Sequence, residues 1–454
     1  MGFDVAVIGG GVVGVTTARR LALDGWRVVV LEKGGDILSG ASKANSAILH
    51  TGFDAPAGSL ELRCVQDGYA EYMSLRGAMN RPVLDTGAMV VAWNAVQEAE
   101  LQGILAAAHA NGITDTRLMS AAEVAAREPG LAPACAAILV PGECLIDPWS
   151  PFYAYARQIL AAGGEVRCRS TVTGGSFDGH LWRLETSMGA VQARAVINAA
   201  GLQGDRIEAL LLGKASFTIK PRKGQFVVFD KAAAAHLRTI ILPVPEPRTK
   251  GVVLTRTIFG NLLVGPTAEE TEERERPTTT QKELEQLIRR AVEILPALRG
   301  MPVTATYAGL RPATERKEYR VHHDPARHWI TVGGIRSTGL TASLGLARYV
   351  AGLHAAMFGE GVAAEVVSPV MPNLAEHLSR DWQSPGYGEV VCHCEMVTRR
   401  EVMAALDGPF PPSDFGGLKR RTRCAMGRCQ GFNCLGALEE LTRGRFAESI
   451  GVAP

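Results

Sequence analysis

The chain has 454 residues, 46% of them hydrophobic and 21% charged, with a formal net charge of +2. That length supports two or three cores of ordinary size, and the composition is that of a globular protein. A charge so near zero gives no whole-chain reason to expect a nucleic-acid partner. The first residues lack the basic n-region of a signal peptide, and Ala6 stands where a myristoylated chain needs Ser or Thr. The longest apolar candidate, Leu344 to Phe358, contains Arg348 and His354. A cytoplasmic protein is therefore expected, with at most peripheral membrane association.

Phe3 to Ile8 reads as a strand ending in Gly9-x-Gly11-x-x-Gly14, which runs into a helix from Val15. Glu32 closes a second strand, Arg27 to Leu31, eighteen positions after Gly14. Gly9 permits a tight turn, Gly11 lets a pyrophosphate approach the backbone, and Gly14 lets helix and strand pack closely. The helix start offers free N–H groups and a positive dipole end. Glu32 is placed to accept hydrogen bonds from a ribose diol. Strand, glycines, helix and acid in this order are the fingerprint of a dinucleotide site. A glycine-rich turn without a ligand is the plainer alternative.

Residues 34–60 form a Gly- and Ser-rich loop, able to wrap the middle of a cofactor, with Asn45 and His50 inside it. Helix is expected over 61–80, strand over 83–93 and an alanine-rich helix over 96–111. Ser120 and Glu123 form a capping box. A helix from Pro151 to Ala162 and a strand at 165–169 lead through a hairpin to Ala195–Gly201. Small residues end that strand, where open α/β sheets bind ligands. Strands over 217–229 and 252–264 follow. Thr280 and Glu283 cap a helix whose apolar face (Leu284, Leu287, Ile288, Ala291, Ile294 and Leu295) reads as core. The strand Trp329 to Val332 turns into a helix ending near Met357, which aims a second set of N–H groups at the cofactor region. Prolines and glycines mark 368–388 as a linker.

The fold class is α/β. A discontinuous Rossmann-type dinucleotide-binding domain (1–80, 146–215 and 325–367) is interleaved with an α+β substrate-binding domain (81–145 and 216–324). A small domain at 389–454 follows the linker. The nine cysteines divide unevenly. Cys64, Cys135, Cys144 and Cys168 are scattered and read as inert thiols. Cys392, Cys394, Cys424, Cys429 and Cys434 fall within 43 residues, which suggests metal or redox chemistry rather than disulfides.

Together these stretches resemble the FAD-dependent oxidoreductases that include D-amino-acid oxidase, glycine oxidase, L-2-hydroxyglutarate dehydrogenase and glycerol-3-phosphate dehydrogenase. The resemblance covers about residues 3 to 360. Asn45-Ser46-Ala47-Ile48-Leu49-His50-Thr51-Gly52, Pro221-Arg222-Lys223-Gly224-Gln225 and Ala308-Gly309-Leu310-Arg311-Pro312 are most similar to the hydroxyglutarate and glycerol-phosphate branch. The resemblance implies bound FAD and hydride transfer to the flavin. It makes Gly9, Gly11, Gly14, Glu32, Ser42, Lys43, Asn45, Val172, Gly201, Gly334, Gly339 and Leu340 cofactor contacts. It puts His50 near the isoalloxazine and Arg311 on the substrate's anionic group. A guanidinium suits that work because it is always charged and grips an anion with two parallel hydrogen bonds. An imidazole suits proton removal as hydride leaves. The plain alternatives are an interdomain salt bridge for Arg311 and a packed histidine for His50. Arg256 and Arg336 are further cations that would enlarge the pocket if they face it.

The C-terminal segment resembles a bacterioferritin-associated-ferredoxin-like [2Fe–2S] module. Cys392-x-Cys394 is followed, after thirty-four residues, by Cys429-Gln-Gly-Phe-Asn-Cys434. The resemblance implies Cys392, Cys394, Cys429 and Cys434 as cluster ligands, four thiolates being what two irons bridged by two sulfides require. A four-cysteine zinc site is the rival. Cys424 is an ambiguity, because its spacing to Cys429 repeats that of Cys429 to Cys434. The basic run Lys419-Arg420-Arg421, with Arg423 and Arg428, reads as cations near a reducible cluster, a solvated face, or a docking patch for an acidic partner.

The expected function is an FAD-dependent dehydrogenase for a small anionic alcohol, glycerol-3-phosphate or a 2-hydroxy acid. Electrons would leave through the cluster to an acceptor protein or second subunit. The alternatives are an opine or amino-acid dehydrogenase subunit, and a non-catalytic electron-transfer or scaffold subunit.

Overall fold

The computed structural model describes residues 2–245 and 251–450. Phe3–Ile8 and Val28–Leu31 are buried almost throughout, as strands covered on both faces must be. They pair in parallel, and Phe3–Ile8 pairs on its other side with Gly189–Asn198. Glu165–Arg167 extends the sheet at one edge and Trp329–Gly333 at the other, both in parallel. Five parallel strands are thus assembled from separated stretches of sequence, the discontinuous arrangement expected. Helices Val12–Leu23, Leu60–Leu75, Ser150–Ala161 and Gly339–Phe358 contribute to the core at this sheet.

The second sheet draws strands from both insertions. Ala88–Ala92, Arg117–Ser120 and Ala136–Val140 come from the first, and Arg222–Phe229, Ile240–Pro243, Val253–Arg256, Leu262–Gly265 and Val303–Arg311 from the second. The seam is a parallel pairing of Ile240–Pro243 with Ala88–Ala92. Helix Gln281–Ile294 packs Leu287, Ala291 and Ile294 into this core; the leucine and the isoleucine each contribute about 1.5–3 kcal/mol on burial. The Ser120–Glu123 capping box forms. The one expected at Thr280 does not: its hydroxyl donates to the Glu283 carboxylate instead of accepting from the helix backbone, while its N–H is taken by Gln225 Oε1 at 2.7 Å.

Three local readings need correction. The single strand expected over 83–93 is two, Val83–Leu84 and Ala88–Ala92. Val83–Leu84 joins a separate small sheet with Cys144–Ile146 and Ile48–Leu49. Arg320–Asp324, inside the 216–324 segment, pairs with Trp329–Gly333 and so lies in the first sheet. The 368–388 stretch is no loose tether, because Met371, Leu374 and Ala375 are buried in the main core.

The C-terminal residues form a small module. A hairpin, Val390–Cys392 with Val397–Thr398, is followed by helices Arg399–Leu406, Phe415–Thr422 and Leu435–Thr442. Val391, Val397, Val402, Leu418 and Leu438 make its own core. The basic run is neither a solvated face nor a free docking patch over most of its length. Arg420, Arg421 and Arg423 are buried, Arg421 on Asp36 and Arg423 on Glu395 at 2.9 Å. Among the described residues no helix is long and apolar enough to cross a membrane.

Candidate functional site

A cavity of about 600 Å³ opens where the first sheet's parallel strands end against the second sheet. Gly11, Ser42, Asn45, His50, Gly201, Arg311, Gly334, Gly339 and Leu340 line it, so nine residues predicted from separate stretches meet in one space. Two helix N-termini, at Val12 and Gly339, open onto it.

Gly9, Gly14 and Glu32 lie at the glycine turn without lining the cavity. Gly9 has φ +110°, and a Cβ there would sit 2.5 Å from the Ala199 carbonyl oxygen. A Cβ on Gly14 would sit 1.9 Å from the Gly9 oxygen, which is the close helix–strand approach that the fingerprint requires. Glu32 Oε2 accepts from the Gly10 N–H at 2.6 Å and Oε1 from the Gly34 N–H at 2.7 Å, fixing the carboxylate beside the turn. Ser42 Oγ accepts from the Val12 N–H at 3.0 Å. Asn45 holds the loop in shape, its amide donating to Ser42 O and its carbonyl accepting from the Ala47 N–H. Helix-start N–H groups that can donate and a fixed carboxylate that can accept are what a flavin dinucleotide's pyrophosphate and ribose call for.

Two predicted cofactor contacts lie elsewhere. Val172 is buried beside Phe3, Ala6, Ile8 and Leu31, off the cavity. Lys43 is exposed and off the cavity; partial desolvation first and Arg420 next lower its pKa, and Asp414 opposes them.

His50 lines the cavity, and its Nδ1 lies 2.8 Å from Glu143 Oε2. Glu143 is completely buried, and its Oε1 also accepts from the Thr51 N–H at 2.6 Å and the Thr51 hydroxyl at 2.9 Å. The His50 N–H donates to Thr341 Oγ1 at 3.0 Å, tying the loop to the first turn of the second cofactor helix. Glu143 was not foreseen. Its only mark in the sequence is being the one acid in the apolar run Ala136 to Ile146.

Arg311 ends the strand Val303–Arg311 and stands directly across from Arg222 in the antiparallel register. Both line the cavity. Like charges placed opposite each other are destabilising. Among the described residues no carboxylate is within ion-pair distance of Arg311, which donates to the Thr267 carbonyl at 3.1 Å. Among the described residues Arg222 reaches the exposed Glu270, at 3.8 Å. Gly224 leaves room, since a Cβ there would lie 2.6 Å from Arg311 Nη2. Burial, and then Arg222, push the Arg311 pKa down to about 10. It therefore stays cationic at neutral pH, at a cost that an anion in the cavity relieves. Of the two extra cations, Arg336 lines the cavity but is paired with Glu61 at 3.0 Å, and Arg256 lies off it.

The C-terminal thiols stand in pairs, Cys434 beside Cys392 and Cys394 beside Cys429. Among the described residues no group of three or more His, Cys, Asp and Glu side chains converges to hold a metal ion. Elsewhere, burial pushes Cys64, Cys144 and Cys168 up to about 12, as suits inert thiols.

Residues 4–353 match the family model described as FAD dependent oxidoreductase. The chain is 29% identical to glycerol 3-phosphate dehydrogenase of Caloramator mitchellensis over 99% of this chain and 95% of that one. It is 30% identical to L-2-hydroxyglutarate dehydrogenase of Indibacter alkaliphilus over 59% and 68%. Its structure superposes on FAD-bound L-alpha-glycerophosphate oxidase of Mycoplasma pneumoniae with a TM-score of 0.74 at 25% identity, covering 81% of this chain and 98% of that one. With the match running from the first strand into the second cofactor helix, this chain belongs to the FAD dependent oxidoreductase family and is an FAD-dependent oxidoreductase.

Proposed function

We propose that this enzyme is a dehydrogenase for a small alcohol bearing two negative charges, glycerol 3-phosphate first and a dicarboxylic 2-hydroxy acid second. The observation that carries the proposal is the facing pair Arg222 and Arg311, two guanidiniums on one cavity wall. A phosphate monoester carries close to two charges at neutral pH, and a hydroxy diacid carries two carboxylates. The names of the glycerol-phosphate and hydroxyglutarate relatives point the same way.

In this reading Gly11, Ser42, Gly334, Gly339 and Leu340 hold FAD, with Gly9, Gly14 and Glu32 shaping the turn behind them. Bound FAD supplies the hydride acceptor. Arg311 and Arg222 hold the anionic end of the substrate and orient its carbinol carbon. His50, with Nδ1 on Glu143, takes the hydroxyl proton at the opposite ring nitrogen as the C–H hydrogen leaves with its electron pair. The buried carboxylate fixes the ring's orientation and stabilises the imidazolium so formed.

The C-terminal module belongs to the same proposal, with Cys392, Cys394, Cys429 and Cys434 as ligands of a [2Fe–2S] cluster. The two thiol pairs support this. A cluster there would supply one-electron transfer to an acceptor protein or second subunit. Unpaired thiols outside the module suit a reducing, cytoplasmic setting.

Anaerobic mixing of the purified protein with candidate substrates tests the main claim. Glycerol 3-phosphate or a hydroxy diacid should bleach the flavin band, and lactate, with one charge, should do so far less well. Bleaching by amino acids alone would replace the alcohol with an amine substrate, and none with any anion would favour a non-catalytic subunit. Iron and sulfide analysis tests the tail: Cys434→Ser should lose the cluster and Cys424→Ser should keep it.

A further inference from the structure

We propose that the C-terminal module is a clamp on the cofactor: Arg421, by gripping Asp36, positions the segment 34–43 against the glycine turn and so sets how tightly FAD is held. The proposal rests on FAD binding at that turn.

The segment is used on two faces. On one, the Leu38 N–H donates to the Gly10 carbonyl at 2.9 Å, and Ser42 Oγ accepts from the Val12 N–H. This face is continuous with the site proposed for the cofactor's pyrophosphate. On the other, Arg421 forms an ion pair with Asp36, whose side chain is 1% exposed. Arg420 donates to the Ile37 carbonyl at 3.2 Å and to the Tyr153 hydroxyl at 3.0 Å. The Ser413 hydroxyl donates to the Gly35 carbonyl. Contact is close enough that a Cβ on Gly35 would lie 2.5 Å from Asp414 Oδ2, and one on Gly417 would lie 1.8 Å from Asp36 Oδ2.

The physical consequence is one of prepaid ordering. A glycine- and serine-rich loop loses conformational entropy when it closes on a ligand. A loop already fixed from behind loses less on binding, so affinity rises without any new contact to the ligand. Linkage makes the effect reciprocal: FAD must steady the module as much as the module steadies FAD. Arg421 is thus a positioning residue, acting through Asp36 and the loop.

The test uses full-length protein stripped of flavin and titrated with FAD. Arg421→Ala should raise the FAD dissociation constant at least tenfold, and Arg421→Lys should recover part of the loss. In wild-type protein, adding FAD should slow amide hydrogen exchange several-fold in residues 413–422 as well as in 34–43. Gly14→Val should abolish FAD binding. FAD held by Gly14→Val would remove the cofactor from this turn, and the proposal with it. A wild-type dissociation constant in Arg421→Ala, or exchange slowed by FAD in 34–43 but not in 413–422, would overturn the clamp alone.

Discussion

Two groups of arginines lie in this molecule, and they are kept in opposite states. In the C-terminal module Arg421 and Arg423 are buried on carboxylates, Asp36 and Glu395, and each guanidinium also covers an aromatic ring, Tyr153 at 3.8 Å and Phe259 at 3.9 Å. At the cavity, Arg222 and Arg311 face each other across two strands, and among the described residues the one acid within ion-pair distance of either is an exposed glutamate at 3.8 Å. The first group is satisfied by the fold and holds the chain together. The second has no such buried counter-charge among the described residues. Residue type alone cannot separate these roles; the presence or lack of an internal counter-charge does.

The contrast can be broken at either end. The largest effect belongs to the buried pair. Asp36→Ala strands Arg421 away from water and should cost about 3–5 kcal/mol of stability, seen as a large drop in the denaturant midpoint. Arg311→Ala should do the reverse, leaving the unfolding midpoint unchanged or higher because an unneutralised buried charge is gone. It should weaken substrate binding by more than about 2 kcal/mol, read as a KM at least about thirtyfold higher; an unchanged KM would remove Arg311 from the site. Arg222→Ala should raise KM about tenfold for a doubly charged substrate and far less for a singly charged one, a difference that sharpens the substrate assignment. The smallest effect belongs to Arg428, which pairs with Asp230 at 2.8 Å yet is 69% exposed. Arg428→Ala should leave the unfolding midpoint and flavin content unchanged, as is usual for exposed ion pairs.

What was legible in the sequence was what local pattern dictates. The glycine turn, the helix beginning at Gly339 and the apolar face around Leu287 each depend on residues within a few positions of one another, and Glu32 on a fixed spacing from the turn. What was not legible depends on register and on distant partners. Arg222 becomes a site residue only because Val303–Arg311 aligns residue 311 opposite it. Glu143 becomes the partner of His50 only because Cys144–Ile146 pairs with Ile48–Leu49. The basic run gave no sign that its counter-charge lies at Asp36, across nearly the whole chain. The proline-marked stretch at 368–388 misled because proline reports backbone stiffness, while Met371, Leu374 and Ala375 are buried by their side chains.

The order of assembly follows from the interleaving. A ribosome releases the glycine turn first, Arg311 long afterwards, and the helix at Gly339 later still. The parallel sheet stays unfinished until Trp329–Gly333 has emerged to pair with Gly189–Asn198, and the seam of the second sheet waits for Ile240–Pro243. Contacts so distant in sequence close slowly, so the nascent chain carries its glycine turn long before Arg311 or the helix at Gly339 is there to close over it. Arg420 and Arg421, which contact the segment behind that turn, are made later than both. A chain cut short before Arg420 keeps the glycine fingerprint but loses the contacts that Arg420 and Arg421 make with the segment behind it.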